Sequence, residues 1–143
     1  MPEAVVDTTV LFAAAYPRDT RHGEGFELLR GFDRGDLPEA VVIDHVLAET
    51  LNGLNERAGS ELATDFLTRL EESERFHVRN TTAGLFADAK AVFRRYENLS
   101  FVDAVIVAYM RDTNLEYLYS FDDGFDVAEV HRLDKVVNPF EPS

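Results

Sequence analysis

Three acidic side chains in this 143-residue chain, Asp7, Asp103 and Asp122, occupy positions where a solvated-surface role is a poor first explanation, and a fourth, Glu49, lies on a solvated helical face but near the helix start. Asp7 interrupts the apolar run AVVDTTVLFAAA (4–15) and is followed at once by two hydroxyls, Thr8 and Thr9. Asp103 lies in LSFVDAVIVAYM (99–110), beside a stretch that is apolar all round and so belongs in a core. Asp122 comes directly off the strand-like YLYSF, with Asp123, Gly124 and Asp126 behind it. Glu49 falls early in the helical pattern DHVLAETLNGL (44–54). Carboxylates gathered at one place repel one another and raise one another's pKa unless a cation joins them. Mg²⁺ removes that conflict: it takes oxygen ligands, keeps several waters, and is typically held by one or two carboxylates plus a substrate phosphate. Two such ions can promote phosphodiester hydrolysis. The four histidines, His22, His45, His77 and His131, are scattered without zinc spacing, so each reads as structural or exposed.

Plainer roles exist for several of these groups. Ser100 followed three residues later by Asp103 reads as the start of a helix. Asp123, Gly124 and Asp126 are ordinary turn residues, and Asp44 suits a helix N-cap. At 100° per residue Val46, Leu47, Leu51, Leu54 and Ala58 form the buried stripe of the 45–58 helix. Glu49 then lies off its centre, on the side of Asn52 and Glu56.

The elements that must position these residues alternate. EAVVD (3–7) and EAVVI (39–43) read as buried strands, followed by RFHVR (75–79), LEYLYSF (115–121) and EVHRL (129–133). Helical patterns cover 22–34, 45–58, 60–72, 82–96 and the segment opening at Ser100, with Gly35 and Gly59 placed as stops. Strands separated by helices predict a three-layer α/β/α sandwich around a central parallel sheet of four to five strands. Ligands in such folds sit outside the carboxyl ends of the strands. Asp7 and Asp122, at the ends of their strands, belong at that edge rather than in the core.

Length and composition set the bounds. A chain of 143 residues with no repeat or low-complexity linker is expected to form one domain, 1–143. The absence of cysteine excludes thiol chemistry and, with no basic leader or membrane-length apolar run, suits a soluble cytoplasmic protein. The net charge of −13 argues against nonspecific attraction to polyanions, so a nucleic-acid substrate must be met locally. Arg79, Arg94, Arg95 and Arg111 are candidates for such contacts. Only Lys90 and Lys135 are lysines among the 14 basic side chains. That acid-rich, lysine-poor balance predicts adaptation to high salt, where charges are screened within about 3 Å at 1 M.

VVDTTVLFAA, VLAETLNGL, LSFVDAVIVAYM and YLYSFDDGF, in this order, resemble the four motifs of PIN-domain ribonucleases, from Val5 to Phe125. The resemblance implies a parallel α/β/α fold and hydrolysis of RNA dependent on Mg²⁺ or Mn²⁺, leaving a 5′-phosphate and a 3′-hydroxyl. It matches Asp7, Glu49, Asp103 and Asp122 to the metal-binding acidic positions. Thr8, Thr9 and Ser120 match supporting hydroxyls, and Asp123 or Asp126 could assist or replace Asp122. A single short domain of this kind is similar to VapC-type toxins, which implies a homodimer and a cognate antitoxin laid across the acidic site. A stand-alone RNA-processing nuclease and a catalytically silent PIN fold would carry much the same motifs. A phospho-acceptor receiver domain fits poorly: it wants an acidic pair after strand one and an acceptor Asp after strand three, and RFHVR ends without one. A haloacid-dehalogenase-like phosphatase wants Asp where Thr9 stands.

Overall fold

Two central strands and one helix carry most of the fully buried β-branched and small residues, and the parallel pairing of five short strands sets the position of the helices. The structure, a computed structural model, describes residues 1–141. In chain order the elements are β1 (Glu3–Val6), α1 (Thr8–Ala15), α2 (His22–Arg34), β2 (Glu39–Ile43), α3 (Asp44–Ala58), α4 (Ser60–Glu72), β3 (Phe76–Arg79), α5 (Ala83–Arg95), α6 (Phe101–Thr113), β4 (Tyr117–Tyr119) and β5 (His131–Leu133). A 3₁₀ segment, Asp123–Ala128, joins the last two strands.

The sheet order is β3-β2-β1-β4-β5, parallel throughout. Ala4, Val5, Val6 and Ala40 to Ile43 are fully buried, the continuous apolar pattern expected of strands covered on both faces. With right-handed crossovers, α1 to α4 cover one face and α5 and α6 the other. The packing of α1 on α2 and α3, of α3 on α4, and of α5 on α6 agrees. Ala104 to Met110 are all buried, as the unbroken apolar stretch of α6 requires. Under the first face, Phe32 meets Phe76 and Tyr119 edge-on at 5.6 and 5.0 Å. Gly25 lets α2 approach α1: a Cβ there would lie 2.7 Å from the Ala14 nitrogen.

The strand order reverses between β1 and β4, so the crevice that binds ligands in such sheets opens at the C-terminal ends of these two strands. The order also differs from the 2-1-3-4-5 arrangement of receiver-type domains.

Several sequence expectations change in detail. Residues 8–15 form a helix, α1, that was not among the expected helices, and the first strand ends at Val6. Gly35 ends α2 with φ +80°, and Gly59 at φ +98° separates α3 from α4, as placed. Asp44 is the first residue of α3 rather than its N-cap. Its carboxylate accepts hydrogen bonds from the Thr81 backbone N–H at 3.0 Å and hydroxyl at 3.1 Å, tying the loop after β3 to the start of α3. In α3 the buried positions are Val46, Thr50 and Leu54, while Ala58 is exposed. Thr50 replaces it in the buried stripe because its hydroxyl donates back to the Val46 carbonyl at 2.8 Å, so burial leaves no polar group unpaired.

Candidate active site

Asp7 is the N-cap of α1, which explains a charge at the end of an apolar strand. Its backbone N–H continues the β1–β4 ladder by donating to the Tyr119 carbonyl at 3.0 Å, and its Oδ1 accepts from the Thr8 N–H at 2.7 Å. The Ser120 hydroxyl donates to Oδ2 at 2.7 Å and the Thr9 hydroxyl donates to the same oxygen at 2.9 Å. Both hydroxyls are oriented from behind: Ser120 Oγ accepts from the Asp122 N–H at 3.0 Å, and Thr9 Oγ1 from the Phe121 N–H at 3.0 Å. Of about four lone-pair directions on a carboxylate, three are thus filled from within the chain. One remains on Oδ1.

The carboxylate of Asp7 is buried, with 2 % of the residue exposed, and none of its three donors is cationic. Burial therefore pushes its pKa upward against those hydrogen bonds, and the Asp122 charge adds to the rise. Beside it, the hydroxyl of Thr8 is buried without a partner. An orphaned oxygen next to an uncompensated carboxylate is what an absent polar or cationic ligand would satisfy.

Asp103 reaches the same edge from the opposite face. Its backbone N–H donates to the Ser100 hydroxyl at 3.1 Å and its Oδ2 accepts from the Ser100 N–H at 3.3 Å, the capping box read from the sequence. Capping does not exhaust its role. Burial, then the charges of Asp7 and Asp122, raise its carboxyl from the ordinary 3.8 to about 6. Asp122 is a third N-cap, whose Oδ1 accepts from the Gly124 N–H at 2.9 Å. The three carboxylates at these helix starts are near enough for their charges to act on one another.

A raised folded-state pKa means that the folded chain holds a proton the unfolded chain has released, so stability is present at low pH and lost as pH rises through about 6. The melting temperature of the metal-free protein relative to Asp103→Asn is expected to fall between pH 4 and pH 7. Thermal melts of the two proteins in EDTA across that range test it; a difference independent of pH would contradict the coupling.

The remaining candidates separate. Glu49 is exposed, as its helical face indicated, and stands on the wall of a cleft that also includes Thr8 and Thr9. Asp123 is exposed, and Asp126 is committed to Arg132, whose Nε donates to it at 2.9 Å. Arg79 is not free for a phosphate: it grips Glu3 with two hydrogen bonds of 2.6 and 3.0 Å, because a charged side chain over the sheet needs a partner. Arg94 and Arg95 are exposed at the end of α5, and Arg111 donates to the Tyr96 hydroxyl at 3.4 Å. His22, His45 and His77 are hydrogen-bonded to Ala13 O, Asp44 and Glu39 respectively.

Among the described residues no three acidic or imidazole side chains converge as tightly as a closed ion cage requires. A hard cation can also be held by one or two carboxylates together with water or substrate oxygens, which Asp7, Asp103 and Asp122 could supply. Sequence reading missed the aromatic and basic part of the cleft, Phe12, Arg21, Arg57 and Phe121. The signal was available in α3, where Glu49, Gly53 and Arg57 recur at four-residue spacing on one face.

The model of the PIN domain matches residues 4–130. The "23S rRNA-specific endonuclease VapC20" of Mycobacterium tuberculosis is 32 % identical over 125 residues, covering 86 % of this chain and 92 % of that protein. The crystal structure of Mycobacterium tuberculosis VapC20, described as a sarcin-ricin loop cleaving toxin, superposes with a TM-score of 0.77 at 30 % identity, over 89 % of this chain and 95 % of that one. VapBC2 from Rickettsia felis, bound to a promoter DNA fragment, shares the fold at a TM-score of 0.69 and 13 % identity, over 92 % and 97 % of the two chains.

Proposed function

From the premise that the chain belongs to the PIN-domain family, we propose that it is a divalent-metal-dependent endoribonuclease and the toxin of a toxin–antitoxin pair. The observation that carries this reading is the charge coupling of Asp7, Asp103 and Asp122 where the strand order reverses, with a buried carboxylate that no cation pairs and a buried hydroxyl without a partner.

The donor set fits a hard divalent ion: carboxylate and hydroxyl oxygens, with no thiol in the chain. Asp7, Asp103 and Asp122 would hold Mg²⁺ or Mn²⁺, with Glu49 contributing from the cleft wall. When bound, such an ion neutralises the carboxylates, polarises a phosphoryl oxygen and lowers the pKa of water. The chain's own contribution is orientation. Thr9 and Ser120 fix the plane of the Asp7 carboxylate, and Ser120 links it through the Asp122 N–H to the third acidic group. Ser100 holds Asp103 by one oxygen and leaves the other free.

The relative named for RNA cleavage supports RNA as substrate, and the fold shared with a toxin–antitoxin complex from Klebsiella pneumoniae supports a protein antitoxin as partner. Incubating purified, antitoxin-free protein with ribosomal RNA and Mg²⁺ or Mn²⁺, then mapping the ends, tests the reading. Discrete cuts bearing a 5′-phosphate and a 3′-hydroxyl are expected; intact RNA at every metal concentration would overturn it.

A homodimer is part of the proposal. Phe86 and Phe93 are 40 % and 45 % exposed and meet Phe101 at steeply inclined ring planes, centroids 5.1 and 5.6 Å apart, an aromatic patch on α5 and the start of α6. Phe93→Glu is expected to convert the protein to a monomer in sedimentation analysis. An unchanged mass for both Phe93→Glu and Phe86→Glu would remove this surface from the interface. The lysine-poor acidic surface supports a cytoplasm of high salt as the setting. Among the described residues no helix is long and apolar enough to cross a membrane.

A further inference from the structure

Beside the three aspartates lies a cleft of about 560 Å³ between α1, α3 and the segment before α2, and its walls are unlike the acidic edge. Two guanidinium groups lie over aromatic rings: Arg21 is 4.8 Å from the centre of the Phe121 ring, and Arg57 is 5.8 Å from that of Phe12. Phe12 reaches this position because Gly53 presents bare helix backbone; a Cβ at 53 would come within 3.2 Å of the ring. A glycine inside a helix costs about 1 kcal/mol relative to alanine, so its use here marks the close approach as the feature that matters.

The charges in the cleft select the kind of ligand. Asp19, Glu49 and Glu56 line it against two arginines, and Arg21 is already bonded to Glu24 at 3.1 Å. A phosphate would meet more negative than positive charge there. A neutral, flat group with amino hydrogens would not: its face can lie on a ring or a guanidinium plane, and its edge can donate to Glu56 or to the free oxygen of Asp19. Thr8 and Thr9 form the side of the cleft nearest Asp7, which puts such a group next to the bond to be cut.

We infer that this cleft receives one unstacked, amino-bearing nucleobase of the RNA, adjacent to the cleaved phosphodiester. The inference rests on the nuclease reading and assigns Phe12, Phe121, Arg21 and Arg57 as specificity-determining residues. The test is a double-mutant cycle between protein and substrate. Oligoribonucleotides spanning a mapped cleavage site, each with one abasic nucleotide flanking the cut, are assayed with wild-type protein, Phe121→Leu and Arg57→Gln. At one position, base removal should lower kcat/KM about tenfold for wild type. Each substitution should lower it similarly on intact RNA, and base removal should then cost nothing more. Arg57 is exposed, so Arg57→Gln tests the cleft even where Phe121→Leu lowers stability. With 2-aminopurine at the same position, bound to the Asp103→Asn protein, fluorescence should rise as the base leaves its stack. Additive losses, or no abasic position that matters, would overturn the inference while leaving the nuclease reading intact. Failure of the wild type to cleave any RNA with metal would overturn both.

Discussion

Asp103→Asn is expected to lower RNA cleavage by at least about a hundredfold and at the same time to raise the melting temperature of the metal-free protein. The two effects have one cause. Asp103 is held at about 6 by burial and by the charges of Asp7 and Asp122, so at neutral pH its ionised form is an electrostatic burden on the apo fold. The neutral amide removes that burden and can still accept from the Ser100 N–H, so the cap of α6 survives. The same change removes a negative oxygen from the cation site, and losing one preorganised electrostatic contact costs about 10²–10³ in rate. Asp7→Asn is expected to be equally inactive but to gain less stability. Its new amide nitrogen would face the Thr9 and Ser120 hydroxyls, which now donate, so part of the relief is offset by broken hydrogen bonds. Cleavage assays and thermal melts in EDTA check both variants. Wild-type rates in either would remove that residue from the site.

Chelation produces the second large effect. Cleavage is expected to stop in EDTA and to return with Mg²⁺ or Mn²⁺, and the folded state itself should register the ion. A ligand at about 100 times its Kd stabilises the state it binds by about 2.7 kcal/mol, which for a chain of this size is a rise of roughly 5–10 °C in Tm. In Asp103→Asn that rise should shrink to a small fraction. Titrating Mg²⁺ against Tm therefore reports on the ion independently of catalysis. Cleavage undiminished in EDTA would reject the metal mechanism outright.

The positions of Asp7, Asp103 and Asp122 at one edge of the sheet were legible before the structure, because each stands out against an apolar stretch. Asp7 and Asp122 end apolar strands, and Asp103 opens a helix that is otherwise apolar on every side. Capping accounts for each of them locally, and what marks them is that all three caps fall at one edge of the sheet. Glu49 shows the limit of that logic. Its helical face pointed to solvent, and it is exposed, yet it stands on the cleft beside Thr8 and Thr9. Exposure along one helix does not say what lies across from it. Arg79 shows the opposite case: a basic residue at a strand end suggested a phosphate contact, and Glu3, 76 positions earlier, holds it instead.

What the sequence determined by itself is the order of elements and the edge at which they place their carboxylates. Apolar period, glycine stops and parallel-sheet handedness are local or general rules, and they need no knowledge of neighbours. What only the tertiary structure decided is adjacency. Residues 7, 103 and 122 become neighbours because β4 inserts beside β1 rather than at the edge of the sheet, and no local periodicity encodes that choice of neighbour. The same packing carried Phe121 and Arg21 to the cleft formed by Phe12 and Arg57. Strand propensity is satisfied by many pairings, and burial of the whole apolar set selects among them.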